Sequence, residues 1–160
     1  MPKKSGWVGT ALLWIAALSW AWVMFFFSGQ NANESGRLSL WLTQHVMRIF
    51  PSLPFAEYEV HYFVRKAAHF SIFAVEGFLL GLAMMKTLPD KRMGGVLAAI
   101  ACVVVAVLNE YHQTFAEGRS CELRDMLIDS AGALLGVFAG ALLLQIIEGA
   151  FRRRRNVIIS

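Results

Sequence analysis

The sequence has few charged side chains, because 15 Lys and Arg and 11 Asp and Glu make up 16% of its 160 residues. A soluble domain has about 25% charged residues, so this scarcity argues against a water-soluble globule. The same composition excludes a disordered chain and a collagen-like or coiled-coil rod. The two cysteines, Cys102 and Cys121, are too few for a disulfide framework.

What the sequence has instead is apolar residues, which make up 57% of it and gather in four long runs. About 20 mostly apolar helical residues cross a bilayer core about 30 Å thick. We therefore predict an all-α membrane protein, a single domain over residues 1–160 with four transmembrane helices. The predicted spans are residues 7–27, 66–85, 93–112 and 123–147. The first run is longer than the apolar core of a signal peptide, so we interpret it as an anchor.

The basic residues predict how these spans are oriented. With four spans both ends of the chain lie on one side, and that side holds nine of the 15 Lys and Arg residues, at positions 3, 4, 86, 91, 92 and 152–155. Short basic loops stay cytoplasmic, so we expect a multi-pass protein of the bacterial cytoplasmic membrane with both termini in the cytoplasm. We interpret Arg152 to Arg155 as contacting anionic lipid headgroups rather than nucleic acid.

The connection between the first two spans carries an amphipathic segment. Residues 30–36 are predicted to form a polar loop and residues 37–50 a helix, because Leu38, Trp41 and Ile49 recur at helical spacing. Such a helix is expected either to lie in the membrane interface or to pack on the protein. Pro51 and Pro54 end it, and a new helix is expected to start near Phe55.

The polar residues inside the spans are the strongest functional signal. An ionisable side chain in hydrocarbon costs about 2.5 to 3.5 kcal/mol, so such residues usually face the bundle interior and find partners. Helical spacing places them in three stripes on the second, third and fourth spans, joined by Arg119 in a loop. The members are Arg65, Lys66, His69 and Glu76, then Glu110 and Gln113, then Glu122, Asp125 and Asp129. We predict a polar pocket between these three spans that opens away from the cytoplasm; the alternative is an ion-pair lattice that only locks the bundle.

Below the acidic stripe the fourth span carries Gly132, Gly136 and Gly140 at four-residue spacing, and the second span carries Gly77 and Gly81. Small residues at this spacing allow close approach of helix backbones. We predict that the fourth span packs along this ridge, and the sequence leaves open whether the contact is internal or between two copies of the chain.

These residues resemble the VanZ-like family of small bacterial membrane proteins. The resemblance rests on RKAAHF at 65–70, NEYHQTFAEGR at 109–119 and DMLIDSAGALLG at 125–136. The family pattern falls on Lys66, His69, Phe70, Glu110, Gln113, Phe115, Arg119, Asp125, Asp129, Gly132 and Gly136. Glu76 departs from it, because an apolar residue is usual there. The resemblance implies a role at the bacterial envelope, and relatives are linked to resistance to teicoplanin.

Three functional hypotheses follow. In the favoured one the pocket binds an anionic lipid or cell-wall-precursor headgroup: Arg65, Lys66 and Arg119 donate to it, His69, Glu110 and Gln113 orient it, and Asp125 and Asp129 hold the arginines. In the second, a membrane-embedded enzyme acts on a lipid or glycan headgroup with His69 and Glu110 or Asp125 as acid and base. In the third, a small oligomeric transporter uses Glu76 and Asp129.

The expected partners are membrane lipids, with a lipid-linked cell-wall intermediate as a further candidate. No nucleic acid is expected, and oligomerisation is left open. No cofactor or metal is expected, although carboxylate and amide oxygens leave a divalent cation possible. His61, His69, His112 and Cys121 lack the spacing of a recognised zinc site.

Overall fold

A computed structural model of the chain describes residues 5–159, with side chains described for residues 7–151 and for Arg154. Lys3 and Lys4, and the side chains of Arg152, Arg153 and Arg155, lie outside the described part. The described residues form no strand and fold into five helices: α1 (Ser5–Ser28), α2 (Ala32–Ile49), α3 (Glu57–Thr87), α4 (Lys91–Gln113) and α5 (Leu123–Ile159).

Four of these helices are long and apolar enough to cross a membrane, namely Trp7–Ser28, Glu57–Thr87, Lys91–Gln113 and Leu123–Phe151. The predicted all-α fold with four apolar spans is thus confirmed. Helix α3 begins at Glu57, close to the helix start near Phe55 that the sequence predicted, and it continues through the second span. It starts just after Pro54, and the Glu59 side chain accepts a hydrogen bond from the backbone N–H of Ala56 at 2.8 Å.

Helix α2 differs from the sequence prediction at its start. It begins at Ala32, so the predicted loop over residues 30–36 is wrong for its last five residues, and the predicted start at residue 37 is wrong as well. The reason is local: the Asn31 side chain accepts a hydrogen bond from the backbone N–H of Glu34 at 2.9 Å. An asparagine in this position satisfies one of the free donors at a helix N-terminus and therefore starts the helix earlier.

Helix α2 packs on the protein with its polar face. Ser39 and Thr43 are buried, whereas Leu38, Trp41 and Ile49 are exposed. The Ser39 hydroxyl lies 2.9 Å from Nε2 of His61 on α3. A helix that docks through hydroxyl groups and leaves its apolar side chains exposed is suited to the membrane interface.

The central contact of the bundle joins α3 and α5, which run parallel. Glycine makes it close: a Cβ atom added to Gly132 would lie 2.2 Å from the carbonyl oxygen of Phe70, and one added to Gly136 would lie 2.0 Å from that of Ala74. A Cβ atom on Gly77 of α3 would meet the Ala133 carbonyl oxygen at 2.0 Å. The glycine ridge of α5 therefore forms a contact within one chain.

Helices α4 and α1 complete the bundle. Cys102 and Ala106 of α4 are buried beside Phe73 and Ala133 in the main apolar core. We call the end of the bundle that holds the C-terminus of α1, helix α2 and residues 114–122 the distal end, and the opposite end the terminal end. The Trp20 indole of α1 donates to the Ile72 carbonyl oxygen at 3.0 Å, which ties α1 to α3.

Candidate functional site

The distal end gathers the polar residues that the sequence singled out. Three helices and one connection supply them, and we call the set the polar cluster: Arg65, Lys66 and His69 of α3, Glu110 and Gln113 of α4, Arg119, and Asp125 and Asp129 of α5. Glu110 and Asp129 are fully buried, and Gln113 and Asp125 nearly so. Buried charges of both signs at the meeting point of three helices must be paired or otherwise compensated.

Two pairs link α3 to α5. Lys66 forms a salt bridge with Asp125, and Nδ1 of His69 lies 3.4 Å from Oδ1 of Asp129. The sequence prediction had both aspartates holding the arginines and had paired His69 with Glu110 or Asp125. The structure places Lys66 against Asp125 and His69 against Asp129, because each pair lies at matching heights on two parallel helices. It also brings a Glu110 carboxylate oxygen within 4.8 Å of a His69 ring nitrogen, as the sequence predicted.

A chain of hydrogen bonds connects Glu110 to Arg119. Nε2 of Gln113 donates to Oε1 of Glu110 at 2.6 Å, and Nη2 of Arg119 donates to Oε1 of Gln113 at 2.5 Å. The other Glu110 oxygen accepts from the backbone N–H of Glu122 at 3.2 Å. Gln113 therefore orients both the carboxylate and the guanidinium, and it keeps them apart rather than in a direct ion pair.

Arg119 also holds the end of α1, since its Nη1 donates to the Ser28 carbonyl oxygen at 3.2 Å. Burial lowers the pKa of the Arg119 guanidinium from its ordinary value, and the nearby positive charge of Arg65 lowers it further. An arginine guanidinium in a protein is a cation at neutral pH. Among the described residues Arg65 forms neither an ion pair nor a hydrogen bond. The positive charge of Arg65 is therefore not compensated by an ion pair, and it repels the guanidinium of Arg119.

A cavity of about 1160 Å³ opens beside the polar cluster. Its walls come from α1, α2 and α3, with Asn109, Gln113 and Arg119 at one edge, whereas the sequence predicted a pocket between the second, third and fourth spans. Helix α5 packs so closely on α3 that it contributes no lining residue. Of the predicted site residues, Arg65, His69, Gln113 and Arg119 line the cavity, and Lys66, Glu110, Asp125 and Asp129 lie behind them.

The cavity is amphipathic. Side chains such as Trp20, Met24 and Phe27 of α1 and Leu38 of α2 form apolar walls. We call the part lined by Arg65, His69 and Arg119 the basic end; the acidic Glu34 also lines the cavity. Sequence reasoning missed the apolar walls and Arg37, which also lines the cavity. The amphipathic pattern of the α2 segment was the available signal, but only the fold shows that this helix packs on α3 and lines a cavity together with α1.

Several polar atoms at this site are buried without a hydrogen-bond partner among the described residues: Nε of Arg119, Oδ1 of Asn109 and both carboxylate oxygens of Asp129. Buried polar groups in native proteins are nearly always satisfied, so each such atom calls for an explanation. Sequence reasoning did not single out Asn109 as a site residue, although an amide at the end of an apolar helix was a usable signal.

Glu76 lies away from this site. It is buried with one oxygen unpartnered among the described residues, and it does not line the cavity. Both cysteines are free: Cys102 is buried in the core and Cys121 is exposed, and no disulfide joins them. A transport path through Glu76 would have to use a route other than the cavity.

The side chains with metal-ligating atoms are distributed differently from the zinc set considered in the sequence. His61 contacts Ser39 and His112 contacts Ser28, and neither joins His69. His69, Glu110 and Asp129 do converge, with one potential ligand atom from each within 4.8 Å of the others.

Comparison with known proteins bears on the whole chain. No curated protein and no solved structure matches it significantly. The model of the family described as VanZ/LLP1 matches residues 13–145, a range that includes every member of the polar cluster and the glycine ridge. This multi-pass membrane protein therefore belongs to the VanZ/LLP1 family, as the three sequence blocks predicted.

Proposed function

We propose that the chain binds an anionic amphiphile in the cavity, with a phosphate-type headgroup at Arg65 and Arg119 and an acyl chain along α1 and α2. The candidates are a phospholipid and a lipid-linked cell-wall intermediate, because both join an acidic headgroup to long apolar chains. The observation that carries the proposal is the combination of an unpaired Arg65 with an apolar cavity wide open beside it.

The donors at the basic end support this proposal. Arg65 has no partner among the described residues and Arg119 retains a free Nε, so together they offer several N–H groups to one anion. Guanidinium groups match phosphate oxygens in pairs of hydrogen bonds. Burial and then the positive charge of Arg65 lower the pKa of Arg119, and an anion between the two arginines would offset the second cause.

The proposal assigns the distal end to the outer side of the bacterial cytoplasmic membrane, with both termini in the cytoplasm. This follows from the excess of Lys and Arg at the terminal end. Cys121 offers a direct test, because it is exposed at the distal end while Cys102 is buried. In intact cells, a membrane-impermeant maleimide should label the wild-type protein at Cys121 and should not label a Cys121→Ser variant. Labelling of the wild-type protein only after cell lysis would show that the distal end faces the cytoplasm.

Binding is tested by titrating the purified protein in a zwitterionic detergent with a short-chain phosphatidic acid and with the matching phosphatidylcholine. Trp20 and Trp41 line the cavity, so a change in tryptophan fluorescence reports occupancy alongside calorimetry. We expect phosphatidic acid to bind more tightly, and Arg65→Ala to weaken it by about 10-fold or more, since a hydrogen bond to a charged group contributes about 1.5 to 3 kcal/mol.

The matched control is Arg48→Ala. Arg48 lies on the same side of the bundle and is exposed, but it does not line the cavity, so affinity should stay within about twofold. Equal binding of the two lipids, or equal losses in the two arginine variants, would contradict the proposal.

The family relationship supplies a cellular readout, because relatives are linked to teicoplanin resistance. If the bound amphiphile is a cell-wall intermediate, expression of the chain should change susceptibility to teicoplanin, and Arg65→Ala should abolish that change while Arg48→Ala retains it. An unchanged susceptibility together with phospholipid binding in the titration would assign the cavity to phospholipid.

A further inference from the structure

Three side chains from three different helices converge behind the basic end of the cavity. His69 comes from α3, Glu110 from α4 and Asp129 from α5, and one nitrogen or oxygen atom of each lies within 4.8 Å of the other two. Both carboxylates are fully buried. Two anionic groups this close in a low-dielectric setting repel each other, so a cation or a shared proton has to compensate them.

The carboxylate of Asp129 is the least compensated group of the set. Both its oxygens are buried, and neither has a hydrogen-bond partner in the described part of the chain. His69 Nδ1 is 3.4 Å from Oδ1, a distance within range for an ion pair but long for a hydrogen bond.

The cations that could serve Asp129 are engaged elsewhere. Lys66 pairs with Asp125, one turn nearer the distal end. Arg119 donates to Gln113 and to the Ser28 carbonyl oxygen, and Arg65 faces the cavity. No described lysine or arginine forms an ion pair with Asp129 or Glu110.

Glu110, by contrast, is held in place. Gln113 donates to one of its oxygens and the Glu122 backbone N–H donates to the other. Each carboxylate oxygen can accept a second interaction, so these bonds orient the group without exhausting it. Groups that orient metal ligands in proteins make the same kind of outer hydrogen bonds.

From this geometry we propose that His69, Glu110 and Asp129 bind one divalent transition-metal ion, of the Zn²⁺ or Mn²⁺ class. One imidazole nitrogen with two carboxylate oxygens suits these ions better than Ca²⁺ or Mg²⁺, which prefer oxygen alone. Ligands about 2.1 Å from a tetrahedral ion lie about 3.4 Å apart, which is the separation of the His69 and Asp129 atoms. Three protein ligands leave a further coordination position open.

The metal ion is separable from the proposed amphiphile, because of its ligands only His69 also lines the cavity. It is tested without any lipid ligand. Tag-free protein in a zwitterionic detergent is treated with a chelator, dialysed, and titrated with Zn²⁺ by calorimetry and with Co²⁺ by visible absorption. We expect one ion to bind per chain. Bound Co²⁺ should give a visible absorption spectrum that disappears when Zn²⁺ displaces the Co²⁺ ion.

The key variant is Asp129→Asn, which preserves shape and removes the charge. We expect it to weaken Zn²⁺ binding by about 100-fold or more, since even outer-shell changes cost 10- to 100-fold. The matched control is His61→Ala on the same helix, whose imidazole contacts Ser39 and should leave affinity within about twofold.

Three results would overturn the metal site: no saturable Zn²⁺ or Co²⁺ binding by the folded wild-type protein, unchanged affinity in Asp129→Asn, or loss of binding in His61→Ala. The wild-type titration decides the matter even if Asp129→Asn fails to fold. The lipid titration, repeated on chelator-treated protein, relies on Arg65→Ala and Arg48→Ala. The metal titration contains no lipid ligand and relies on Asp129→Asn, so failure of one proposal does not entail failure of the other.

Discussion

The two halves of the α3–α5 contact are built by opposite means. Towards the terminal end the helices meet through glycine and carbonyl groups, as at Gly136 and Ala74, with no room for a single added carbon. At the distal end the same helices meet through charged groups, with Lys66 against Asp125 and His69 against Asp129. One half depends on shape and the other on charge.

The difference separates stability from function. Backbones in close contact gain van der Waals packing that needs no polar group, which is how helices associate in lipid. The distal half would be cheaper to build in the same way, because buried ion pairs rarely add stability over apolar residues of equal volume. That the chain keeps unsatisfied polar atoms there, beside an open cavity, favours a binding role over a locking role for the polar cluster.

The sharpest way to test the shape-dependent half is Gly136→Ala. The new Cβ atom would lie 2.0 Å from a backbone oxygen, which cannot move without separating the helices. We expect the free energy of unfolding to fall by about 3 kcal/mol or more, at the upper end for overpacking. Unfolding in SDS mixed micelles, followed by circular dichroism, measures it.

Gly9→Ala is the matched control, because an added Cβ there meets nothing within 4 Å and the same helix-propensity gain applies. It should unfold at the same or slightly higher SDS fraction than the wild type. Equal stability of the two variants would mean that α3 and α5 are not in close contact.

The charge-dependent half is tested by comparing two salt bridges of the same chain. Lys66 and Asp125 are mostly buried, with side-chain exposures of 15% and 11%, whereas Lys91 and Glu148 at the terminal end are 49% and 41% exposed. Lys66→Ala leaves a nearly buried carboxylate alone and should cost about 2 kcal/mol. Lys91→Ala should cost less than about 1 kcal/mol.

Both lysine variants are measured by the same micelle unfolding experiment in low and high salt. The loss in Lys66→Ala should persist in high salt, because partly buried charges are weakly screened. Similar losses in both variants would show that the distal ion pair is as solvated as the terminal one.

Much of the fold followed from the sequence because hydrophobic length is a strong signal. The four apolar runs gave the four spanning helices, and the spacing of Gly132, Gly136 and Gly140 pointed to a close helix contact. The start of α2 was wrong because a single side chain, that of Asn31, caps the helix five residues early. Boundaries of this kind depend on one hydrogen bond, which a hydropathy pattern does not record.

The site was less predictable than the fold. Helical spacing identified which polar residues share a face, and the structure brings Arg65, His69, Gln113 and Arg119 to one cavity. Spacing along a helix says nothing about which helices are neighbours or how they are staggered. The partner of His69 and the position of the cavity between α1, α2 and α3 therefore needed the tertiary structure.

The smallest effect concerns how α2 is held over the cavity. The Ser39 hydroxyl donates to the Gly36 carbonyl oxygen at 3.0 Å and lies 2.9 Å from Nε2 of His61, so it joins α2 to α3. Ser39→Ala leaves the half-buried imidazole without this partner and should lower the free energy of unfolding by about 1 kcal/mol.

The matched control is Ser35→Ala. Ser35 lies one turn earlier and its side chain forms no hydrogen bond among the described residues, so this variant should have no measurable effect. Hydrogen exchange of α2 amides should speed up only in Ser39→Ala. If both variants exchange alike, α2 is held by its apolar face and the membrane rather than by its hydroxyl groups. Polar contacts would then hold less of the distal end together than the contrast with the glycine ridge implies.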